Sequence, residues 1–294
     1  MNYVLFNYGK LPKYLNLTIN SILSVDNNAL IYFISDKTLN FNSVNYVDVN
    51  EFLNLKNLKD QIYSYYHKTN FSPEVFPVFY TSLLRIFAID EVVNNLNINQ
   101  FVHFDNDVII YKSFDKLLNE NLFNESRINI TQNRKEELVF GYSYFPSIET
   151  ISFLSLKMKN VFENMDYFSK NYNKGKPLNE MRMMRIVEKE KSENFNLLPS
   201  LPYGNEKIIF DPSSYGQYFN GQHVNSSNYF FRNRWVSPDH IIGREIISKR
   251  IKAKIKNQQP YVIYENQKFE IANLHVHSKK LEKFLPKEYK EFLA

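Results

Sequence analysis

Phe101-Val-His-Phe-Asp-Asn-Asp-Val-Ile-Ile-Tyr111 is the stretch from which the rest of the chain can be read. It begins as an apolar, aromatic and β-branched run, which reads as a buried strand. Asp105 and Asp107 interrupt it, and apolar residues resume at Val108. Strand side chains alternate between faces, so the spacing predicts that Asp105 and Asp107 point the same way, with Asn106 between them. Two adjacent carboxylates repel each other and resist burial unless a positive charge sits with them. A divalent cation with oxygen ligands answers that need, and Mg²⁺ or Mn²⁺ usually brings substrate phosphates with it. The bland alternative is that the pair only turns the chain at a strand end. At the carboxyl end of a sheet strand, the pair would stand where α/β sheets bind ligands.

The composition is compatible with that reading and removes several others. The chain has 294 residues, 44% of them hydrophobic, which is enough for a large α/β core. Only 7 residues are glycine, and no G-x-G-x-x-G or G-K-[ST] occurs, which argues against a glycine-rich nucleotide loop. There is no cysteine, so disulfides, thiolate zinc sites and cysteine nucleophiles are excluded. Met1-Asn-Tyr-Val-Leu-Phe enters a strand directly, without a basic segment or cleavage site, and predicts no signal peptide. No apolar run is long enough to span a bilayer. The net charge of +5 suits anionic ligands or an anionic membrane surface but is too small to argue for nucleic acid. The expected location is cytoplasmic, with the inner face of a membrane as an option.

Upstream of the opening stretch, Tyr3–Asn7, Leu30–Asp36 and Val44–Val49 read as strands, and Tyr14–Ser24 as the helix after the first of them. This alternation predicts a parallel sheet covered by helices. Asn7, Tyr8 and Asp36 fall at strand ends, where they either bind a ligand or satisfy loop groups. Glu51–Tyr66 and Phe79–Val93 read as helices. Arg85 lies on the otherwise apolar second helix and needs a partner: Asp90, or the charged groups of the site.

Downstream, Lys112–Leu118 reads as a short helix, Leu138–Pro146 as a strand and turn, and 148–172 as helical. Asn179 can cap a helix with Glu180 in its first turn, and Met181, Met183 and Met184 read as core filling. Ile208–Phe210 runs into Asp211-Pro212, an Asx-Pro turn, and Asn220-Gly221 is a further turn signal. Tyr229-Phe-Phe-Arg-Asn-Arg-Trp235 packs aromatics between arginines, as core or as an acceptor-facing edge. Residues 246–256 form a basic amphipathic run, either a solvated face or a peripheral membrane contact. Pro260–Glu265 and Lys268–Ala272 read as a hairpin turning at Asn266. In Asn273-Leu-His-Val-His-Ser-Lys279, alternation places His275 and His277 on one face, as metal ligands or as a core pair.

Taken together, Asp105-Asn-Asp107 and Leu274-His-Val-His-Ser-Lys279 resemble the DXD motif and the C-terminal closing motif of GT-A glycosyltransferases. The segment Asp211-x4-Gly-Gln-Tyr-x2-Gly221 resembles a pattern of polysaccharide-type glycosyltransferases of bacteria and large viruses. The resemblance implies an α/β GT-A fold with a mixed, mainly parallel sheet flanked by helices. It also implies one domain over 1–294, divided into a nucleotide-binding half (1–111), a sugar and acceptor half (112–280) and a short helical tail (281–294). It further implies Mn²⁺ or Mg²⁺ held by Asp105, Asp107 and His275 or His277. Asn7, Tyr8, Asp36, Arg85, Asn106, Gln217 and Lys279 would contact a nucleotide-sugar donor, expected to be UDP-linked. Glu180 or Asp211 would serve the acceptor hydroxyl in an inverting enzyme, or flank the oxocarbenium-like centre in a retaining one. The acceptor would be a glycan, lipid-linked glycan or glycoprotein, and the protein a monomer or homodimer. The competing expectations are a nucleotidyltransferase and a catalytically degenerate glycan-binding protein.

Overall fold

The structure is a computed structural model that describes residues 1–39, 41–68, 76–219, 236–286 and Tyr289. The Asn220-Gly221 turn, the aromatic segment 229–235 and most of the tail after 286 lie outside the described residues.

The chain opens with β1 (Asn2–Asn7), α1 (Leu15–Val25), β2 (Leu30–Ser35) and β3 (Val44–Asp48). Then come α2 (Leu53–Lys68), α3 (Phe76–Asn95), β4 (Phe101–Phe104), β5 (Val108–Ile110) and α4 (Phe114–Asn119). A hairpin of β6 (Ile128–Arg134) and β7 (Glu137–Phe145) leads to α5 (Ile148–Glu163), α6 (Met165–Tyr172), α7 (Glu180–Glu190) and β8 (Phe195–Leu197). The last third holds β9 (Ile208–Ile209), α8 (Ser214–Tyr218), α9 (Ile241–Ile247), β10 (Lys252–Lys256), β11 (Gln259–Tyr264), β12 (Gln267–Ile271) and β13 (Asn273–His275).

Among the described residues, seven strands form the central sheet in the order β3-β2-β1-β4-β7-β6-β8. Only β7 runs against the others, so the sheet is mixed and mainly parallel, as expected. The apolar runs of β1 explain why both faces are covered. Val4 and Phe6 pack under α3 and α5, while Tyr3 and Leu5 pack on α1 and α4. A third core lies beneath a smaller sheet, β10-β11-β12-β9, and includes Ile109, Tyr215, Ile242 and Leu274.

β1 pairs with β2 on one side and β4 on the other, so the strand order reverses between β1 and β4. In open α/β sheets ligands bind at the carboxyl ends of strands at such a reversal. Asn7 ends β1 there and Tyr8 follows it, and Asp105 to Asp107 follow β4.

Two expectations change. Residues 101–111 are not one strand: β4 stops at Phe104, and a turn closed by Val108 N donating to Asp105 O (3.0 Å) separates it from β5. Asp and Asn favour turns because their short side chains compete with ladder hydrogen bonds. The basic run 246–256 is divided between the end of α9 and β10, where Lys252, Lys254 and Lys256 alternate with Ala253 and Ile255. Its period is therefore that of a strand, not of a membrane-surface helix. The start of the tail carries only a 3-10 turn, Leu281–Lys283. No helix of the described residues is long and apolar enough to cross a membrane.

Candidate functional site

The Asp105–Asp107 turn is held by contacts from four directions. Asp105 N donates to Gly141 O of β7 (3.1 Å), and Asn106 Nδ2 donates to Phe6 O of β1 (2.9 Å). Thr18 Oγ1 of α1 donates to Asn106 O, and Val276 N donates to Asp107 O (2.8 Å). The last contact exists because β13 pairs antiparallel with β5, with His275 opposite Val108. Pairing with β5 thus brings residues of the C-terminal motif against the turn.

There His275 Nε2 lies 3.1 Å from Asp107 Oδ1 and 3.5 Å from Asp105 Oδ2. The His275 and His277 rings stack with centroids 4.4 Å apart and planes 10° from parallel. Lys279 Nζ donates to Asp107 Oδ2 and lies 5.7 Å from the centre of the Tyr14 ring. Lys279 reaches back because its φ is +62°, in a turn closed by Lys279 N donating to Val276 O (2.9 Å). Asp107 is buried. Burial alone would raise its pKa, but His275, Lys279 and His277 together hold it well below the usual carboxylate range.

Ligand atoms of Asp107, His275 and His277 all lie within 4.8 Å of one another. One carboxylate and two imidazoles offer oxygen and nitrogen donors to a divalent ion. Asp105 stands outside this group of three. Its Oδ1 accepts from Arg85 Nη1, and Arg85 Nη2 lies 4.0 Å from Glu180 Oε1. The guanidinium also lies 5.1 Å from the centre of the Phe140 ring. Arg85 is therefore placed against site carboxylates and not against Asp90, whose Oδ1 accepts from Ser152 Oγ (2.6 Å). Gly141 makes the Asp105 position open: a Cβ there would overlap Asp105 Oδ2 and fall 2.9 Å from its Cγ.

Glu180 is the first residue of α7, whose cap is Asn179 Oδ1 accepting from Arg182 N (2.9 Å). Its carboxyl is buried. Burial pushes its pKa up, and Arg85 together with the N–H groups of Glu180 and Met181 draws it back.

These groups line one cavity of about 680 Å³. It brings together Asn7, Tyr8, Arg85, Asp105, Asn106, Asp107, Glu180, Gln217, His275, His277 and Lys279. Two expected residues do not line it. Asp36 accepts from Gly9 N (2.7 Å) and shapes the loop that carries Tyr8. Asp211 is 1% exposed, with both oxygens engaged: Oδ1 accepts from Ser213 N (2.9 Å) and Tyr215 N (2.8 Å), and Oδ2 from Gly216 N (2.8 Å) and His275 N (3.1 Å). It ties the backbone of 213–216 to the His275 strand.

The far wall contains residues that carried no motif. Irregularities in the β6–β7 ladder between Ile130 and Thr131 and between Gln132 and Arg134 bring Asn133 and Arg134 to the cavity. Ser214 Oγ donates to Asn133 Oδ1 (2.9 Å) and stands 2.9 Å from His240 Nδ1. Burial, with Arg134 nearby, lowers the His240 pKa to about 4, so the ring is neutral at pH 7. Glu137 is buried, 3.4 Å from Arg182 Nε and 3.6 Å from Arg134 Nε. A charged residue opening the apolar run Leu138-Val-Phe, and a lone glycine within it, were the available signals for Glu137 and Gly141.

No protein-family model and no curated protein matches this chain. Among solved structures it is similar to mouse xyloside xylosyltransferase 1 in its apo form, at 12% identity and a TM-score of 0.47, over 68% of this chain and 86% of that one. It is also similar to the galactosyltransferase LgtC in complex with donor and acceptor sugar analogues, at 10% identity and a TM-score of 0.46, over 82% and 86%. The bifunctional glycosyltransferase WbbM matches at 13% identity and a TM-score of 0.44, over 92% of this chain but 46% of its own. These likenesses concern the path of the backbone and assign no residue a role.

Proposed function

We propose that this chain is a metal-dependent glycosyltransferase that moves a sugar from a nucleoside diphosphate donor, UDP-linked, to a glycan hydroxyl in polysaccharide synthesis. The observation that carries the reading is the convergence of Asp107, His275, His277 and Lys279 at one end of a cavity at the β1–β4 reversal. That set is suited to a diphosphate: three metal ligands and an ammonium group together. A divalent ion held by Asp107, His275 and His277 would offset charge developing on the departing diphosphate.

The chain's own residues divide the remaining work. Asn7 and Tyr8 stand at the nucleoside end, with Tyr8 held edge-on against Tyr80 at 6.1 Å. Arg85 reaches both Asp105 and Glu180 and offsets part of their combined charge. Lys279 donates to the leaving oxygen once nucleotide draws it from Asp107. Asn133, Glu137, Gln217 and His240 face the sugar and acceptor end, where amide, carboxylate and neutral imidazole groups can hydrogen-bond hydroxyls. Glu180 is the carboxylate placed between the two ends, either to take the acceptor proton or to flank the anomeric carbon.

Calorimetric titration of UDP, GDP and CDP, with and without Mn²⁺, tests this. UDP should bind only with Mn²⁺, and Asp107→Ala should abolish that binding. Absence of binding by all three diphosphates in the presence of Mn²⁺ would overturn the proposal.

A further inference from the structure

The smaller sheet has two unlike faces. Ala253, Val262, Phe269 and Ile271 point inward and are buried in the third core. The alternate residues line up in rows across the strands. Lys252, Ile263 and Lys268 form one row; Lys254, Tyr261 and Glu270 the next; Lys256 and Gln259 the third. Directly paired residues share a face, so these side chains stand together on the outer one.

That face is positively charged. Four lysines stand there against one carboxylate, Glu270, which is already held by Lys112 at 2.5 Å and lies 3.7 Å from Lys268. A cleft of about 580 Å³ runs along β11, with Tyr261 and Ile263 on its wall and Lys256 and Lys268 beside them. Four side-chain amides complete it: Asn257, Gln259, Asn266 and Gln267. The cleft follows a six-residue strand, roughly 20 Å by strand rise, which suits an extended chain better than a single small molecule.

The chemistry of the wall selects the class of ligand. Sugar hydroxyls both donate and accept, and amides are uncharged groups that do the same. The Tyr261 ring offers an apolar face to sugar C–H groups. Lys268 Nζ lies 5.1 Å from the centre of that ring, so a stacking surface and a cation fall within reach of one residue of a polymer. A bilayer would ask for something else, since interfacial binding rests on apolar side chains that enter the acyl boundary. None of the large apolar residues exposed elsewhere on the protein, such as Leu156 or Ile247, stands in these rows.

We propose that the outer face of this sheet is a second carbohydrate site, apart from the catalytic cavity, that holds an extended acidic polysaccharide. Tyr261 stacks on its rings, the amides bond its hydroxyls, and Lys254, Lys256 and Lys268 pair with its carboxylates.

The test uses the full chain and affinity electrophoresis in gels containing polygalacturonate or neutral dextran. Flotation with phosphatidylserine vesicles runs in parallel. Polygalacturonate should retard the protein, and dextran and vesicles should not. Tyr261→Ala, which leaves the charge unchanged, should weaken binding about tenfold. The combined Lys254→Gln, Lys256→Gln and Lys268→Gln variant should abolish it, with UDP binding as in wild type. Should Tyr261→Ala fail to fold, Tyr261→Leu, which likewise removes the ring and leaves the charge unchanged, takes its place. Equal retardation of a folded Tyr261→Ala would reduce the face to a film of charge and overturn the site. So would binding to vesicles alone, or no retardation at all. Retention of UDP binding in that event would leave the catalytic reading standing.

Discussion

Asp211→Asn separates two roles that sequence reasoning left open for this residue. In the structure Asp211 accepts four backbone N–H groups, two on each oxygen, at 2.8–3.1 Å. Asparagine keeps one acceptor oxygen and replaces the other with an NH₂ group. Two N–H donors then face a donor in a fully buried place. Each buried donor left without a partner costs about 1–3 kcal/mol, so the loss is roughly 2–6 kcal/mol. At about 2–4 °C per kcal/mol for a chain of this size, Tm should fall by on the order of 10 °C. Where the NH₂ group takes the Oδ2 place, the N–H of His275 is one of the displaced donors, and affinity for Mn²⁺ should fall as well. Differential scanning calorimetry and a Mn²⁺ titration on the same samples check both. A variant with wild-type Tm and wild-type Mn²⁺ affinity that nevertheless fails to transfer sugar would refute the argument and restore Asp211 as a catalytic base.

Three other outcomes follow from the site. Gly141→Ala should displace the Asp105 carboxylate, as the added Cβ would fall 2.9 Å from its Cγ. Mn²⁺ affinity should drop about 10–100-fold, as for other disturbed surroundings of a metal site, with Tm nearly unchanged; Mn²⁺ paramagnetic resonance reads it directly. Arg85→Met leaves Asp105 and Glu180 without their shared cation. The expected loss is about 3–5 kcal/mol by urea unfolding, and a loss under 1 kcal/mol would contradict the pairing. His240 is held neutral, with its pKa lowered to about 4. The unfolded chain binds that proton from pH about 6.5 downward, so this contribution is complete above 6.5 and is lost as pH falls towards 4. It should amount to about 1–3 kcal/mol, and His240→Gln should flatten that part of the stability–pH curve.

Short-range signals in the chain were readable, and long-range ones were not. The apolar runs of β1 and β4 predicted buried parallel strands, and Glu265-Asn266 closes the expected hairpin with φ of +46° and +60°. Asp105 and Asp107 line one cavity by another route than the sequence predicts. Strand alternation was assumed to continue through residues that favour turns, yet the turn still aims both carboxylates at His275. The surroundings of Asp211 were not legible, because its four donors include one 64 positions away, which no local pattern reveals. Asn133 and His240 are 107 positions apart and meet only because α9 packs on β6.

The pairing of β13 with β5 also sets an order of events. Lys279 meets Asp107 across 172 positions of chain, so a growing polypeptide has its acidic turn long before it has its imidazoles. A fragment ending at residue 111 would carry two aspartates and no chelate. The site is completed only when β13 docks on β5. A divalent ion captured there would act as a clasp between the Asp105–Asp107 turn and the segment that carries His275 and His277, adding resistance to heat that grows with the logarithm of the ion's concentration above its Kd. Loading with Mn²⁺ would then report that β13 had docked on β5, and chelators would loosen that strand before any other.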